Sequence, residues 1–564
     1  VWVATAALAA DPVPLSSSEA DALGDRTVSG PVEIPEMEIT VDLPIEIRDS
    51  TSASLLMQAT QRIIEATQVE APPGARGIHL YEVVQETLNR NYSLQSARIN
   101  PMTAEQRIAV ERAAFDPIAF ANVIFSRAKS PQREFDFLSG QFSGDLEATV
   151  QRVRGFSDPQ LGAQGVGVRQ RFVPGTEIQA EVSAVRQLRQ TGSNPFGSLT
   201  DGYATEAAVR LVQPLLEGYG AQANLAFMRI AYNGKLINEE QLRLITLNLI
   251  AQAHTAYWNL VFSRVNLAIA QQSLTLAADL QRENRIRYKY GDLIAVEVYE
   301  AQAGVKAREQ DVIVAENTLN NSMDELRELM AFERNEPGWE MPLVPLDAPQ
   351  FYAVQIDEEM SLEVALDESP EIRLAQLFID LARESRVIAY DAYRPRLDLI
   401  AELSERGLGS TMGKSFNVLD NSDFTSYSIG AQFETPIYRR GERANVRAAE
   451  LSMQKRTIDL EDVKQQVTYS HRQAVRNIED LIRAVAATKA TVVAEKNRLE
   501  NSRIGHEQGV TTSNDLLQAQ EDYALAQVEE IRRIVDYYIS LIRLERIRGT
   551  LLESLGFEFV DMRN

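Results

Sequence analysis

A set of landmarks recurs at a fixed distance along this 564-residue chain. Tyr290-Gly291-Asp292, closing at Ala301-Gln302, returns as Gln508-Gly509-Val510, closing at Ala519-Gln520, and both ends are offset by 218 residues. Internal repetition of this kind constrains architecture before any single motif does. Upstream, Gly220 with Ala223-Asn224 matches Gly441 with Ala444-Asn445 at an offset of 221, and Ala97 and Pro117 match Ala375 and Pro395 at 278. The growth from 221 to 278 places about 57 extra residues in the first copy, between Pro117 and Gly220. The chain reads as a tandem duplication with one insertion.

Each copy carries a very long helical pattern. Proline is absent between Pro214 and Pro337 and again after Pro436. Leu267, Ala270, Leu274 and Ala277 recur at spacings of three and four, as do Ile478, Leu481 and Val485, with Val492 one heptad further on. Such narrow stripes are those of coiled coils, not of broad-faced globular helices. Gly220 to Gly291 and Gly441 to Gly509 are each about 70 residues, roughly 100 Å of helix at 1.5 Å per residue. Gly291 and Gly509 then permit a tight turn into a returning helix. A hairpin this long cannot cover its stripe alone and needs neighbours beside it.

Before each hairpin the period becomes two. Ile178, Ala180, Val182 and Ala184 alternate with Glu177, Gln179, Glu181 and Ser183. In the second copy Leu397, Leu399, Ala401 and Leu403 share one face, and Tyr427, Ile429, Ala431 and Phe433 share another. These are strands with one apolar and one polar side, as in a soluble sandwich or a barrel with lipid outside and water inside. Arg406-Gly407-Leu408-Gly409 fits a turn between strands. In the insertion, Pro174-Gly175-Thr176 joins two alternating runs into a hairpin, which either adds two barrel strands or extends the barrel outside the membrane. Each strand region ends at a proline, Pro214 or Pro436, followed within six residues by Gly220 or Gly441.

Charge and composition exclude several functions. The formal net charge of -23 opposes binding to nucleic acid or an anionic membrane surface. Absence of cysteine removes disulfides, thiol catalysis and an acylated N-terminal cysteine. Four scattered histidines offer no metal-ligand spacing, and no nucleophile–base cluster is visible, so neither an enzyme nor a cofactor is expected. Gly409-Ser410-Thr411-Met412-Gly413-Lys414-Ser415 imitates a phosphate loop, but its glycines are wrongly spaced and it is expected to join two strands without a helix. His254 and Trp258, one turn apart, read as packing residues.

Residues 1–10 read as the remnant of a secretory signal ending Ala7-Leu8-Ala9-Ala10, or else as an alanine-rich terminus. Residues 11–77 form an extended Pro- and acid-rich segment. The first repeat spans 78–333, opening with a helix to about 114 that is interrupted near Pro101, and carries its inserted hairpin at about 130–190. A linker of four prolines covers 334–360, the second repeat spans 361–557, and 558–564 is a tail. No run approaches the length of a membrane-spanning helix.

Strands able to form a barrel, continuous with helices able to form a tube, occur twice. In this order the sequence resembles the TolC-like outer-membrane efflux family. The resemblance rests on Val212-Gln213-Pro214-Leu215-Leu216 leading to Gly220, on the weaker echo Thr435-Pro436-Ile437-Tyr438 leading to Gly441, and on the two tip segments. It implies a mainly α fold: long antiparallel hairpins in a trimeric α-barrel, continuous with a transmembrane antiparallel β-barrel. It further implies an outer-membrane channel of a tripartite efflux or type I secretion system in a Gram-negative cell. The implied partners are outer-membrane lipid, a periplasmic adaptor and an inner-membrane transporter of the RND, ABC or MFS type. Carried over by position, the family's periplasmic constriction falls on Asp515, Gln518 and Glu297, and its lock partners fall on His506 and Thr511. Adaptor contact falls on Gly291, Asp292, Gly509 and Val510. Here Gln518 replaces an acid, and His506 and Thr511 replace a tyrosine and an arginine, which puts that lock in doubt. Asp515 and Glu297 either focus negative potential on a pore or are ordinary solvated carboxylates. The competing function is a non-transporting coiled-coil scaffold of the cell envelope.

Overall fold

The computed structural model describes residues 74–136, 141–155, 165–190, 199–347, 351–421 and 424–556. The expectations for 1–10, for most of 11–77 and for the tail at 558–564 lie outside the described residues. Strand β1 (Arg76–Ile78) leads into α1 (Leu80–Arg90) and α2 (Tyr92–Arg112). The helix break expected at Pro101 is at Asn91 instead. The Asn91 side chain accepts hydrogen bonds from the N–H groups of Ser93 and Leu94, starting a new helix there. Pro101 is buried inside α2, where its ring is accommodated within a helix that continues on both sides.

A sheet follows. Its strands are β2 (Ile118–Ala121), β3 (Ile124–Asp136), β4 (Gln141–Gly155), β5 (Val166–Arg171), β6 (Glu177–Gln190) and β7 (Leu199–Pro214). After the helical hairpin and β8 (Leu343–Pro345), β9 (Arg396–Gly409) and β10 (Thr425–Glu434) complete it. The spatial order is β10-β9-β7-β6-β4-β3, with β5 pairing both β6 and β2, and all these pairings are antiparallel. The inserted residues do both of the things left open by the sequence. β5 and β6 pair from Arg171 opposite Glu177 to Val166 opposite Val182, at the helix-proximal end of the sheet. Beyond Gln190, the last residue of β6, β3 and β4 continue as a hairpin of their own.

Two sequence expectations about the second copy need correction. Arg406-Gly407-Leu408-Gly409 is not a turn but the end of β9, paired with Tyr203–Glu206 of β7. The Lys414 stretch does form a helix, α8 (Met412–Asp420), capped by the Thr411 hydroxyl. The reason is local. A Cβ on Gly407 or Gly409 would overlap Ser415 and Lys414, so the two glycines make the seat on which α8 rests. Ser415 is buried there, its Oγ 2.9 Å from Thr205 Oγ1 and donating to the Gly407 carbonyl at 2.9 Å.

The helical half contains α3 (Ala221–Asn224), the 65-residue α4 (Ala226–Tyr290) and α5 (Ala295–Leu329). It continues with α6 (Glu358–Glu368), α7 (Pro370–Tyr393), the 68-residue α9 (Arg440–Glu507), α10 (Ser513–Arg548) and α11 (Leu551–Ser554). At 1.5 Å per residue, α4 and α9 are each roughly 100 Å long. The two strand-to-helix junctions differ. Gly220, at φ 96°, caps α3, whereas Gly441 lies inside α9 and the left-handed residue there is Arg439, at φ 47°. Arg439 is held by its guanidinium over the Tyr393 ring, 4.0 Å from the centroid.

One continuous core joins α4, α9 and α10 through Leu247, Ile250, Val261, Ile478, Val485 and Ile534. Trp258 stacks on Tyr538 at 4.8 Å, and His254 is buried with neither ring nitrogen hydrogen-bonded, which lowers its pKa to about 4. Beside this core, Asp347 ties the linker to the first repeat. Its carboxylate accepts from Leu80 N (2.6 Å), Tyr257 OH (2.7 Å) and His79 Nδ1 (2.9 Å), while β8 pairs in parallel with β1. Burial opposes ionisation of Asp347, but the His79, Leu80 and Tyr257 hydrogen bonds outweigh it and hold the pKa below the usual value. The His79 pKa is raised by the same bond. Asp347's contribution is therefore present above its unfolded pKa and lost at strongly acid pH, while that of His79 fades as pH rises through its raised value. Asp347→Ala strands the buried Tyr257 hydroxyl and should cost about 2–3 kcal/mol, read as a lowered apparent Tm at pH 6. An unchanged Tm would show that this clasp contributes nothing.

Candidate functional site: the hairpin tips and the two-faced sheet

The two helical hairpins end side by side. Gly291, at φ 84°, caps α4, and Gly509, at φ 72°, follows the end of α9, each placing the left-handed residue that a tight reversal needs. Between the tips the apolar stripe of α4, running through Ala277 and Leu280, is broken by Asn284, which is fully buried. Asn284 Nδ2 donates to Ser513 Oγ at 2.7 Å and to the Glu297 carbonyl at 3.2 Å. Ser513 Oγ also lies 3.2 Å from His506 Nε2, and the Ser513 N–H donates to Glu297 Oε2 at 2.8 Å. Arg287 Nη1 completes the cluster by donating to the His506 carbonyl at 3.1 Å. Because Ser513 is the first residue of α10, Glu297 places a carboxylate at a helix N-terminus, where both the free N–H groups and the dipole favour it. A small apolar cluster of Leu280, Ala301 and Leu516 closes over one side.

The other candidate tip residues are arranged differently. Asp515 is exposed and forms a capping box with Thr512, and those hydrogen bonds lower its pKa. Gln518 is exposed and donates to Asp522 Oδ1 at 3.0 Å, and Asp522 in turn pairs with Arg498. Thr511 Oγ1 donates to the Ser502 carbonyl, filling the space left by the missing side chain of Gly505. Thus Glu297 and His506 meet in one network, whereas Asp515, Gln518 and Thr511 stay outside it. Around the turns, Tyr290 is 80% exposed, Ile294 66%, Tyr299 70% and Val510 79%.

At the other end the sheet has two chemically distinct faces. Register places Leu397, Leu399, Ala401 and Leu403 of β9 level with Phe433, Ala431, Ile429 and Tyr427 of β10. Across β7 the same face carries Val209 and Leu211, then Ala180 and Ile178 of β6, then Val168 of β5. The opposite face carries Ser428, Glu402, Arg210, Gln179 and Arg169. The apolar stretch from Leu397 to Leu403 covers roughly 20 Å of strand at 3.3 Å per residue. Tyr203 sits above it on the same face, with Arg186 over its ring. Among the described residues no helix is long and apolar enough to cross a membrane, so an apolar sheet face of this extent is the feature suited to lipid.

Residues 362–550, the second repeat, match the family described as outer membrane efflux protein. The chain is 25% identical over 309 residues to outer membrane protein TolC of Vibrio cholerae serotype O1, covering 54% of this chain and 68% of that protein. It is 26% identical over 317 residues to TolC of Escherichia coli K12, covering 54% and 62%. Among solved structures, the Campylobacter jejuni CmeC outer membrane channel superposes with a TM-score of 0.60 at 17% identity, covering 86% of this chain and 87% of that one. The chain belongs to the TolC-like outer-membrane efflux family. Its place is accordingly the outer membrane of a Gram-negative cell.

In this TolC-like protein the sequence pointed to the tips but missed the pair at their centre, Asn284 and Ser513. The signals were present: a polar residue at an apolar-stripe position, and a serine followed two residues later by Asp515 at a helix start. Burial, and then Arg287, keep His506 below its ordinary pKa. A depressed histidine contributes stability that is full above pH 6.5 and is lost as pH falls. Hydrogen exchange at the tip amides of 284–297 and 506–516 should therefore accelerate between pH 7 and pH 5. H506N should flatten that dependence; an unaltered pH profile in the variant would remove His506 from the latch.

Proposed function

We propose that three copies of this chain form one passive duct, a β-barrel in the outer membrane continued by an α-barrel through the periplasm. The observation that carries this reading is the continuity of a two-faced sheet with helices roughly 100 Å long. The apolar face meets lipid, the polar face meets water, and the chain passes from β7 into α3 and α4, and from β10 into α9, across only a few residues. An envelope spacer has no use for such a sheet. No covalent step is assigned to the chain; an inner-membrane transporter supplies the energy.

The tips form the periplasmic end. The network of Asn284, Ser513, His506 and Glu297 fastens the two hairpins of one copy together, and the exposed Asp515 and Gln518 face the axis at the narrowest ring. Three Asp515 carboxylates there favour cations. The exposed Tyr290, Ile294, Tyr299 and Val510, around Gly291, Asp292 and Gly509, provide an apolar crown on which a periplasmic adaptor of an RND, ABC or MFS system docks.

Planar-bilayer recording of the purified protein tests this. The unaltered chain should show a small cation-selective conductance. E297A removes the acceptor of the Ser513 N–H, a charged hydrogen bond worth about 1.5–3 kcal/mol, and should shift the open-to-closed ratio ten- to a hundredfold toward open. D515A should lower cation selectivity. A protein that inserts and never conducts, in any of the three forms, would exclude the duct.

A further inference from the structure

The sheet ends in two free edges, and their geometry goes beyond the duct reading on which this inference rests. Of the eight strands, β2 and β3 follow one another along one line, both on the outer side of the β5 and β4 line. β4 and β5 likewise share one side of β6, with Gly155 opposite Val185 and Val166 opposite Val182. Eight strands less these two collinear continuations leave six positions across the sheet. At one edge stands β10, exposed at each of its ten residues and paired only with β9. At the other stands the β2–β3 line, paired only with β5 and β4. About half of the N–H and C=O groups of each edge point away from the sheet. In lipid each unpaired group costs several kcal/mol, so both edges require a partner.

Direction and facing select that partner. All neighbours are antiparallel, so with six positions the two outermost strands run in opposite senses. β10 laid beside the β2–β3 line of another copy therefore continues the antiparallel pattern without interruption. The faces also agree. Tyr427, Ile429 and Phe433 on β10 share the apolar face, through the register, with Ala119 and Ala121 on β2.

We propose that the inserted strands belong to the barrel wall, and that three copies, joined by pairing β10 of each with the β2–β3 line of the next, close an eighteen-stranded barrel, six positions from each. A barrel of sixteen to eighteen strands leaves a water-filled bore. The insertion is then what widens the outer-membrane end, independently of the tips.

Electron cryo-microscopy of the full chain in lipid nanodiscs tests this by a strand count at the membrane midplane and by the identity of the seam. Eighteen strands with β10 against β2–β3 is the expected result. A three-fold ring of fewer strands, with β5 and β6 lying outside it, overturns the inference and leaves the duct reading intact. Particles without a shared bore overturn both.

Discussion

Within a bilayer a backbone N–H or C=O finds no water, so a strand embedded there must be hydrogen-bonded on both sides. That requirement organises this molecule. It explains why the apolar residues of β5, β6, β7, β9 and β10 lie in register on one face, since a slip of one residue would turn them all toward water. It also explains why the chain returns to the same sheet after a helical excursion: β7 and β9 are neighbours though α4 and α5 separate them in sequence. The helices inherit their placement from this pairing. Leu215 and Glu217 donate to the carbonyls of Leu397 and Pro395 just below the sheet, so the two repeats are already tied where their helices begin.

The far end is held by a different balance. Along most of α4, α9 and α10 the contacts are apolar and non-directional, which allows helices to slide. At the tip, buried polar groups replace them. Asn284 Oδ1 is left without a hydrogen-bond partner, while its Nδ2 is shared between Ser513 and Glu297. A network that is incompletely satisfied adds little net stability but fixes geometry, because any shift leaves further buried groups unpaired. This arrangement is suited to an element that must hold one position and still be released.

Much of the architecture was legible in the sequence because two periods dominate it. Alternation at 178–184, 397–403 and 427–433 marked strands, and the proline-free runs marked the long helices. What the sequence hid depended on contacts between distant residues. The glycines at 407 and 409 look like turn formers, and only the presence of α8 above them shows that they make room for a helix. Pro101 looks like a helix breaker, but the cap at Asn91 decides where the helix divides. At the tips the glycines announced the turns, whereas the meeting of Asn284 with Ser513, 229 positions apart, was invisible without the packing of one repeat on the other.

The central claim is that the odd-numbered face of β9 and β10 lies against lipid and the even-numbered face against water. The cysteine-free chain permits single nitroxide labels at each of positions 397–403 and 427–433, with accessibility to oxygen and to a water-soluble nickel complex measured in liposomes. The account predicts oxygen access at 399, 403, 427 and 429 and nickel access at 402, 428 and 430, alternating residue by residue. Uniform nickel access along both strands, with no period of two, would contradict it.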